Sequence, residues 1–185
     1  MRRTQSLLFP DADCEPLSDK TSSTFINNMR LPVHRWFRYS AGFSAEWVSQ
    51  LIRAKGATAV FDPFAGSATT LVAAEGEGVA SWGIDPHPFV GRIARAKLGW
   101  RSNPDEFFAK VRDLRKIAKA TKPTTTGYPP LIYKCYDDDE TLSDLDCLRR
   151  AYEVVKDDSV ASELAWLTLV AILRPTSQAG TAQWQ

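Results

Sequence analysis

Two aspartates close two apolar runs in this chain: Asp62 ends "ATAVFD" and Asp85 ends "VASWGID". Between them a turn holds Pro63, Phe64, Ala65, Gly66, Ser67 and Ala68, followed by Thr69 and Thr70. A dinucleotide fingerprint needs Gly-x-Gly-x-x-Gly so that a pyrophosphate can reach backbone amides at a helix start, and only Gly66 fits. A P-loop needs Gly-Lys-Ser/Thr after four intervening residues, and no such lysine is here. Asp62 would moreover repel a phosphate. The pair of acids suits a nucleoside that carries a cationic centre. S-adenosylmethionine is such a ligand: its sulfonium and ammonium favour a nearby carboxylate, and its ribose diol wants an acid at the end of the following strand. Asp85 lies about twenty residues past the turn, where a βαβ unit places that acid.

The flanking pattern supplies the elements that would position these groups. "ATAVFD" reads as a buried strand, the stretch after "AGSATT" as a helix through about Glu77 broken by Gly76 and Gly78, and "VASWGID" as a second strand parallel to the first. Upstream, Ser44 is a candidate N-cap, Glu46 sits in the first turn, Trp47, Val48, Leu51 and Ile52 form an apolar stripe, and Gly56 stops the helix. Downstream, "PFVGRIARAKLGW" predicts one helix. "NPDEFFAKVRDLRKIAKA" predicts another, with Asn103 as cap and Pro104 at its first position. Phe107, Val111, Leu114 and Ala118 share one face of that helix, and Arg112, Arg115, Lys116 and Lys119 make a basic stripe on another. "TKPTTTGYPP" is a linker by composition and "LIYKCY" a short candidate strand. "DDDE" then leads into helix "TLSDLDCLRRAYEVVKD", and a last helix, "SVASELAWLTLVAILR", ends at Pro175. Residues 1–30 are polar and turn-rich and read as an irregular arm.

With these residues in view, "FDPFAGSATT" resembles the Asp-Pro-Phe-x-Gly-Ser-Gly-Thr-Thr motif of bacterial DNA methyltransferases of the restriction-modification type, which modify the exocyclic amine of adenine or cytosine. "GIDPHPF" matches the Gly-x-Asp-x-x-Pro segment that follows it there, and "HRWFRYSAGFSAEWVSQLI" is similar to the segment that closes over the methionine end of the cofactor. The resemblance is specific over about Leu31 to Leu98. It implies an α/β, Rossmann-like class I S-adenosylmethionine-dependent methyltransferase fold with an incomplete parallel sheet and flanking helices. Asp62, Pro63, Phe64, Gly66, Thr69, Thr70 and Asp85 would be cofactor-binding, joined by Tyr39, Phe43 and Ser44. DNA would be the partner. Separately, the N-terminal residues hold too short an apolar segment for a secretory signal, and the compartment expected is the cytoplasm.

Two departures bear on function. Ala68 occupies the place of the family's second glycine, which costs about 1 kcal/mol if the backbone there needs positive φ. The larger departure is that no Asp/Asn/Ser-Pro-Pro-aromatic tetrapeptide occurs anywhere in the chain. Transfer to an exocyclic amine needs the flipped base held edge-on to polar groups and stacked on an aromatic ring. "GYPPL" has the prolines but neither flanking group in place, and reads as a linker turn. With two strands read and a third in doubt, the sheet falls short of the four to six strands usual for such sheets. The organisation expected is an arm over 1–30, a cofactor-binding domain over 31–121, and a linker and helical connector over 122–185 leading toward a catalytic segment. That segment would be C-terminal or on a second polypeptide. The alternatives are a non-catalytic cofactor-binding or adaptor protein, and a methyltransferase for RNA or a small molecule.

Composition narrows the classes. The chain has 185 residues, 44% hydrophobic and 24% charged, enough for one core. A formal charge of +1 gives no global pull on polyanions. Cys14, Cys135 and Cys147 with His34 and His87 support neither a disulfide framework nor a zinc site. No apolar run spans a bilayer. Trp36, Trp47, Trp82, Trp100 and Trp166 are expected in the core, His34 and His87 in structural roles, and "DDDE" at a solvated helix start.

Overall fold

The computed structural model describes residues 25–39, 42–136 and 138–179; Cys14, most of the expected arm and the end of the C-terminal tail lie outside them. Two strands, β1 (Ala59–Asp62) and β2 (Ala80–Gly83), are joined by α2 (Thr69–Gly76) and pair in parallel, Ala59 with Ala80 through Asp62 with Gly83. Around them lie α1 (Ala45–Lys55), α3 (Pro88–Leu98), α4 (Pro104–Ala120), α5 (Pro130–Cys135), α6 (Asp139–Val155) and α7 (Val160–Thr176), with two short 3-10 helices at Phe25–Arg30 and His34–Trp36.

The helix boundaries follow the capping chemistry of the sequence. Ser44 accepts a hydrogen bond from the Trp47 amide, and Gly56 closes α1 in the left-handed region at φ 55°. Asn103, Asp138 and Ser159 cap α4, α6 and α7 through their side chains. Val48 and Ile52 of α1 pack with Ala73 and Ala74 of α2, while Val33, Ala65, Leu71, Val72 and Ala94 join the turn to α3. Leu167 of α7 meets Ile93 and Ala96 of α3, and Leu114 of α4 packs on Ala151 and Tyr152 of α6. The basic stripe of α4, Arg112, Arg115, Lys116 and Lys119, faces solvent.

Several expectations are corrected. "LIYKCY" is not a strand: α5 begins with Pro130 at its first position, where the missing N–H costs nothing, and six apolar-rich residues carry too few periods to tell helix from strand. α7 does not stop at Pro175 but runs to Thr176, whose hydroxyl donates to the Ile172 carbonyl at 2.7 Å, while Tyr136 donates to that of Leu173 at 2.5 Å. The expected arm is structured at its end. Asn28 is fully buried in the first 3-10 helix, accepts from the Ala45 amide and donates to the Phe43 carbonyl, both at 2.9 Å.

That clamp fixes the segment entering α1 through groups with no water to replace them. Asn28→Ala leaves a buried amide and a carbonyl unpaired and is expected to lower stability by about 2 kcal/mol, or roughly 4–8 °C in Tm. Thermal unfolding followed by circular dichroism checks this; an unchanged midpoint would show that the clamp contributes nothing.

The strands are also not buried as their composition suggests. Phe61 is 58% exposed and Trp82 61%, and Trp100 too is exposed, so these two tryptophans are not core residues. Trp36, Trp47 and Trp166 do pack against the cores. Among the described residues only two strands form the sheet, which leaves one of its faces without a covering layer.

Candidate cofactor-binding turn

The turn after β1 is held by both aspartates. Asp62 accepts through one oxygen from the Phe64 amide at 2.9 Å and through the other from the Thr70 hydroxyl at 2.5 Å, tying the strand end to the first turn of α2. Asp85 reaches across: one oxygen accepts from the Gly66 amide at 2.9 Å, the other from the His87 amide at 2.8 Å. The ladder continues past the strands, Ile84 donating to Asp62 and Ala65 to Ile84, both at 2.9 Å. Two strand ends are thereby stapled into one frame. Each carboxylate oxygen has a second lone pair, so both acids can still accept from a bound molecule.

Glycine is required at two places. Gly66 has φ 51°, and a Cβ there would lie 3.1 Å from the Tyr39 ring, which brings Tyr39 over the turn. At Gly83 a Cβ would meet Ala65 at 2.7 Å and Leu71 at 2.8 Å, so this glycine lets β2 approach the helix that follows the turn. Ala68 also sits in the left-handed region, φ 67° and ψ 31°, as the cap of α2. The positive φ anticipated from the motif is present, and the methyl group is fully buried among Val33, Leu71 and Val72.

Burial of that methyl, worth about 0.8 kcal/mol, offsets most of the conformational cost of about 1 kcal/mol. Ala68→Gly is accordingly expected to shift the denaturation midpoint by no more than the equivalent of about 0.5 kcal/mol. A urea titration measures it; a gain above 1.5 kcal/mol would mean that the methyl contributes nothing to packing.

The remaining residues divide. Pro63 is exposed, Phe64 is exposed at 77%, and Thr69 and Thr70 are buried in the first turn of α2. Phe43 stacks edge-on to Trp47 at 6.2 Å and, with Asp62 and Thr70, borders a groove beside β1. Ser44 is fully buried and its hydroxyl is engaged in capping α1. Ser67, inside the turn but outside the residues picked from the motif, is 2% exposed, and its hydroxyl is the one buried side-chain polar atom among the described residues with no hydrogen-bond partner. Its sequence signal was its match to the serine of the Asp-Pro-Phe-x-Gly-Ser-Gly-Thr-Thr motif. A buried orphan hydroxyl costs about 1–3 kcal/mol unless something pairs with it.

Further along, His87 and Phe89 pack edge-on at 6.3 Å, and Phe89 meets Trp166 at 5.7 Å. Arg92 stacks on Trp166 at 4.0 Å and grips Glu163 with two hydrogen bonds of 2.8 and 2.9 Å. That set links the segment after Asp85 to α7. Among the described residues no group of histidine, cysteine or acidic side chains could hold a metal ion, and no helix is long and apolar enough to cross a membrane.

The fold and the turn define an α/β protein in which two strand-end carboxylates hold the turn between β1 and α2. The resemblance read in the sequence is borne out by known proteins. The chain is 28% identical over 178 residues to the type II methyltransferase M.AvaI, both from Nostoc sp. (strain PCC 7120 / SAG 25.82 / UTEX 2576) and from Anabaena variabilis, covering 88% of this chain and 34% of the relative. It is 45% identical over 65 residues to the type II methyltransferase M.BsoBI of Geobacillus stearothermophilus, covering 33% of this chain and 13% of that protein. The chain thus spans about a third of the length of M.AvaI. No family model and no solved structure matches it.

Proposed function

We propose that this chain is the S-adenosylmethionine-binding portion of a site-specific DNA methyltransferase acting on the exocyclic amino group of adenine or cytosine, with a Rossmann-like class I fold. The observation that carries the reading is the double staple: Asp62 holds the turn with both oxygens, Asp85 bridges the Gly66 amide to that of His87, and each carboxylate oxygen keeps a lone pair. The residues fit the cofactor. Asp62 offers negative charge to the sulfonium and ammonium, Asp85 accepts from the ribose diol, and the Ser67 hydroxyl is a polar group in want of a partner. When bound, the cofactor supplies an electrophilic methyl group. The chain's own part is to position it: Gly66 lets the backbone approach, Tyr39 covers the turn, and the Asp85 bridge sets the distance between strand ends.

The groups that would hold a flipped base are absent from this sequence, so catalysis needs a further segment or a second polypeptide. Tyr128-Pro129-Pro130-Leu131 does not substitute. Tyr128 donates to the Asp146 carboxylate at 2.6 Å, and Pro129 and Pro130 start α5. The basic face of α4 is a solvated face by its exposure; were it to touch DNA phosphates, each contact would add salt dependence. The alternative of a non-catalytic cofactor binder or adaptor shares the turn and lacks methyl transfer.

Calorimetric titration with S-adenosylmethionine tests the shared step. Binding near micromolar, about −8 kcal/mol, is expected. No heat from a chain shown by circular dichroism to be folded would remove the cofactor assignment. Plasmid methylation on mixing with a polypeptide that carries Ser/Asp-Pro-Pro-Tyr separates enzyme portion from adaptor.

A further inference from the structure

One buried carboxylate organises the segment between α4 and α5. Asp146 of α6 is 1% exposed and accepts from the Thr124 amide at 2.7 Å, the Tyr128 hydroxyl at 2.6 Å and the Arg149 guanidinium at 2.9 Å. Arg149 also donates to the Tyr128 hydroxyl at 3.0 Å. Arg150, the next residue of the helix, lies 3.9 Å from the other carboxylate oxygen and donates to the Lys122 carbonyl at 2.8 Å and the Thr124 hydroxyl at 2.7 Å. The turn inside this frame passes through Gly127 at φ 87°. Tyr133 braces it, accepting from the Tyr128 amide at 3.0 Å and donating to the Thr125 carbonyl at 2.9 Å.

Both arginines are thereby fixed while half of each side chain stays in solvent. With Thr124, Thr126, Gly127 and Tyr128 they line a cavity of about 510 Å³, and no acid is among its lining residues. The donors there are not used up. Among the described residues neither guanidinium makes a further hydrogen bond, which leaves Nη1 of Arg149 and Nε and Nη2 of Arg150 to an outside acceptor. The Thr124 hydroxyl accepts from Arg150 and keeps its own proton to donate. Charge is unbalanced as well, because two guanidiniums share one carboxylate. Glu153, the other acid that acts on Arg149, is engaged with Lys156 at 2.5 Å.

We infer that this cavity binds a phosphate group. A carboxylate ligand has two oxygens, which one guanidinium fork saturates, whereas two forks beside threonine hydroxyls suit the larger set of oxygens on a phosphate. The buried Asp146 holds both forks before any ligand arrives, so little side-chain freedom is lost on binding. Two sources carry this chemistry, a backbone phosphodiester of DNA and a free phosphate ester. The first rests on the methyltransferase reading above, and there the contact would position the duplex without reading its sequence.

The test titrates the chain, in chloride buffer, with inorganic phosphate and with a short DNA duplex. Arg150→Ala removes one fork, and Thr126→Asp sets a negative charge in the cavity without touching the Asp146 bonds, so the second variant decides if the first fails to fold. Each is expected to weaken binding at least about tenfold with unchanged circular dichroism, while Arg112→Gln on α4 changes it by less than about twofold. Duplex binding weakened in both variants, with a shallower salt dependence, assigns the cavity to a backbone phosphodiester. Phosphate binding lost with duplex binding unchanged assigns it to a free phosphate ester. Equal affinity for both probes in wild type and variants, or no binding of either probe by the folded wild type, overturns the inference. S-adenosylmethionine titration keeps the two readings apart: cofactor binding with neither probe bound overturns the phosphate site alone, and phosphate binding without cofactor binding overturns the cofactor reading alone.

Discussion

Asp85→Ala is expected to weaken S-adenosylmethionine binding at least a hundredfold, about 3 kcal/mol. Two effects combine. The variant removes the acceptor proposed for the ribose diol, and it frees the Gly66 and His87 amides that the carboxylate now holds at 2.9 and 2.8 Å. The Gly66 amide lies in a buried stretch of the turn, so its lost partner is not simply replaced by water. Asp85→Asn separates the two effects. Its single amide oxygen can still accept from one backbone N–H but carries no charge and offers a donor to a diol that also donates. Calorimetry on both variants, with hydrogen exchange at 63–68, makes the comparison. Should alanine bind as tightly as aspartate, the acid is a structural staple and nothing more.

The staple explains why the geometry of the turn was legible in the sequence while the sheet was only partly so. Asp62, Gly66 and Asp85 are tied together by local rules: a strand end, a turn that needs positive φ, and the spacing of one βαβ unit. Ser44, Asn103 and Gly56 declared their helix ends for the same reason, since a cap depends on three or four neighbouring residues. What failed depended on distant partners. "ATAVFD" and "VASWGID" have the composition of strands covered on both faces, yet Phe61 and Trp82 are exposed because the covering layer is not among the described residues. "LIYKCY" was ambiguous by length, and Pro130 was the overlooked helix-start signal. Asn28 could not be read at all: its importance comes from Phe43 and Ala45, fifteen and seventeen residues on, and nothing local marks it.

Lys97 is another such residue, and it gives the second large effect. It sits one position from the end of α3, is 1% exposed, and donates to the backbone carbonyl of His34 at 3.2 Å. Burial pulls its ammonium down from 10.5 to about 8. The unfolded chain therefore binds more protons between pH 8 and 10.5, so the Lys97 contribution to stability rises with pH across that window, by about 3 kcal/mol if the shift is fully expressed. Below pH 8 the residue is charged in both states and the whole burial penalty is present. Lys97→Met removes the penalty and leaves the His34 carbonyl without its donor, for a net gain of about 1–2 kcal/mol at pH 7, or roughly 2–8 °C in Tm.

His34 reports on the same neighbourhood from the acid side. Burial first, and the Lys97 charge second, hold its imidazole down at about 4 against an ordinary 6.5. Its contribution is complete above pH 6.5 and is lost as pH falls toward and through 4, because the unfolded chain takes up the proton first. With Lys97 replaced by methionine, one cause of the depression is gone and the acid loss shrinks. Denaturation midpoints from pH 5 to pH 10.5 should therefore show Lys97→Met more stable than the wild type below neutrality and at pH 7, the two curves crossing at about pH 9, and the wild type more stable at pH 10.5. A difference that stays constant from pH 8 to 10.5 would mean that Lys97 keeps its proton throughout and that its charge is not desolvated.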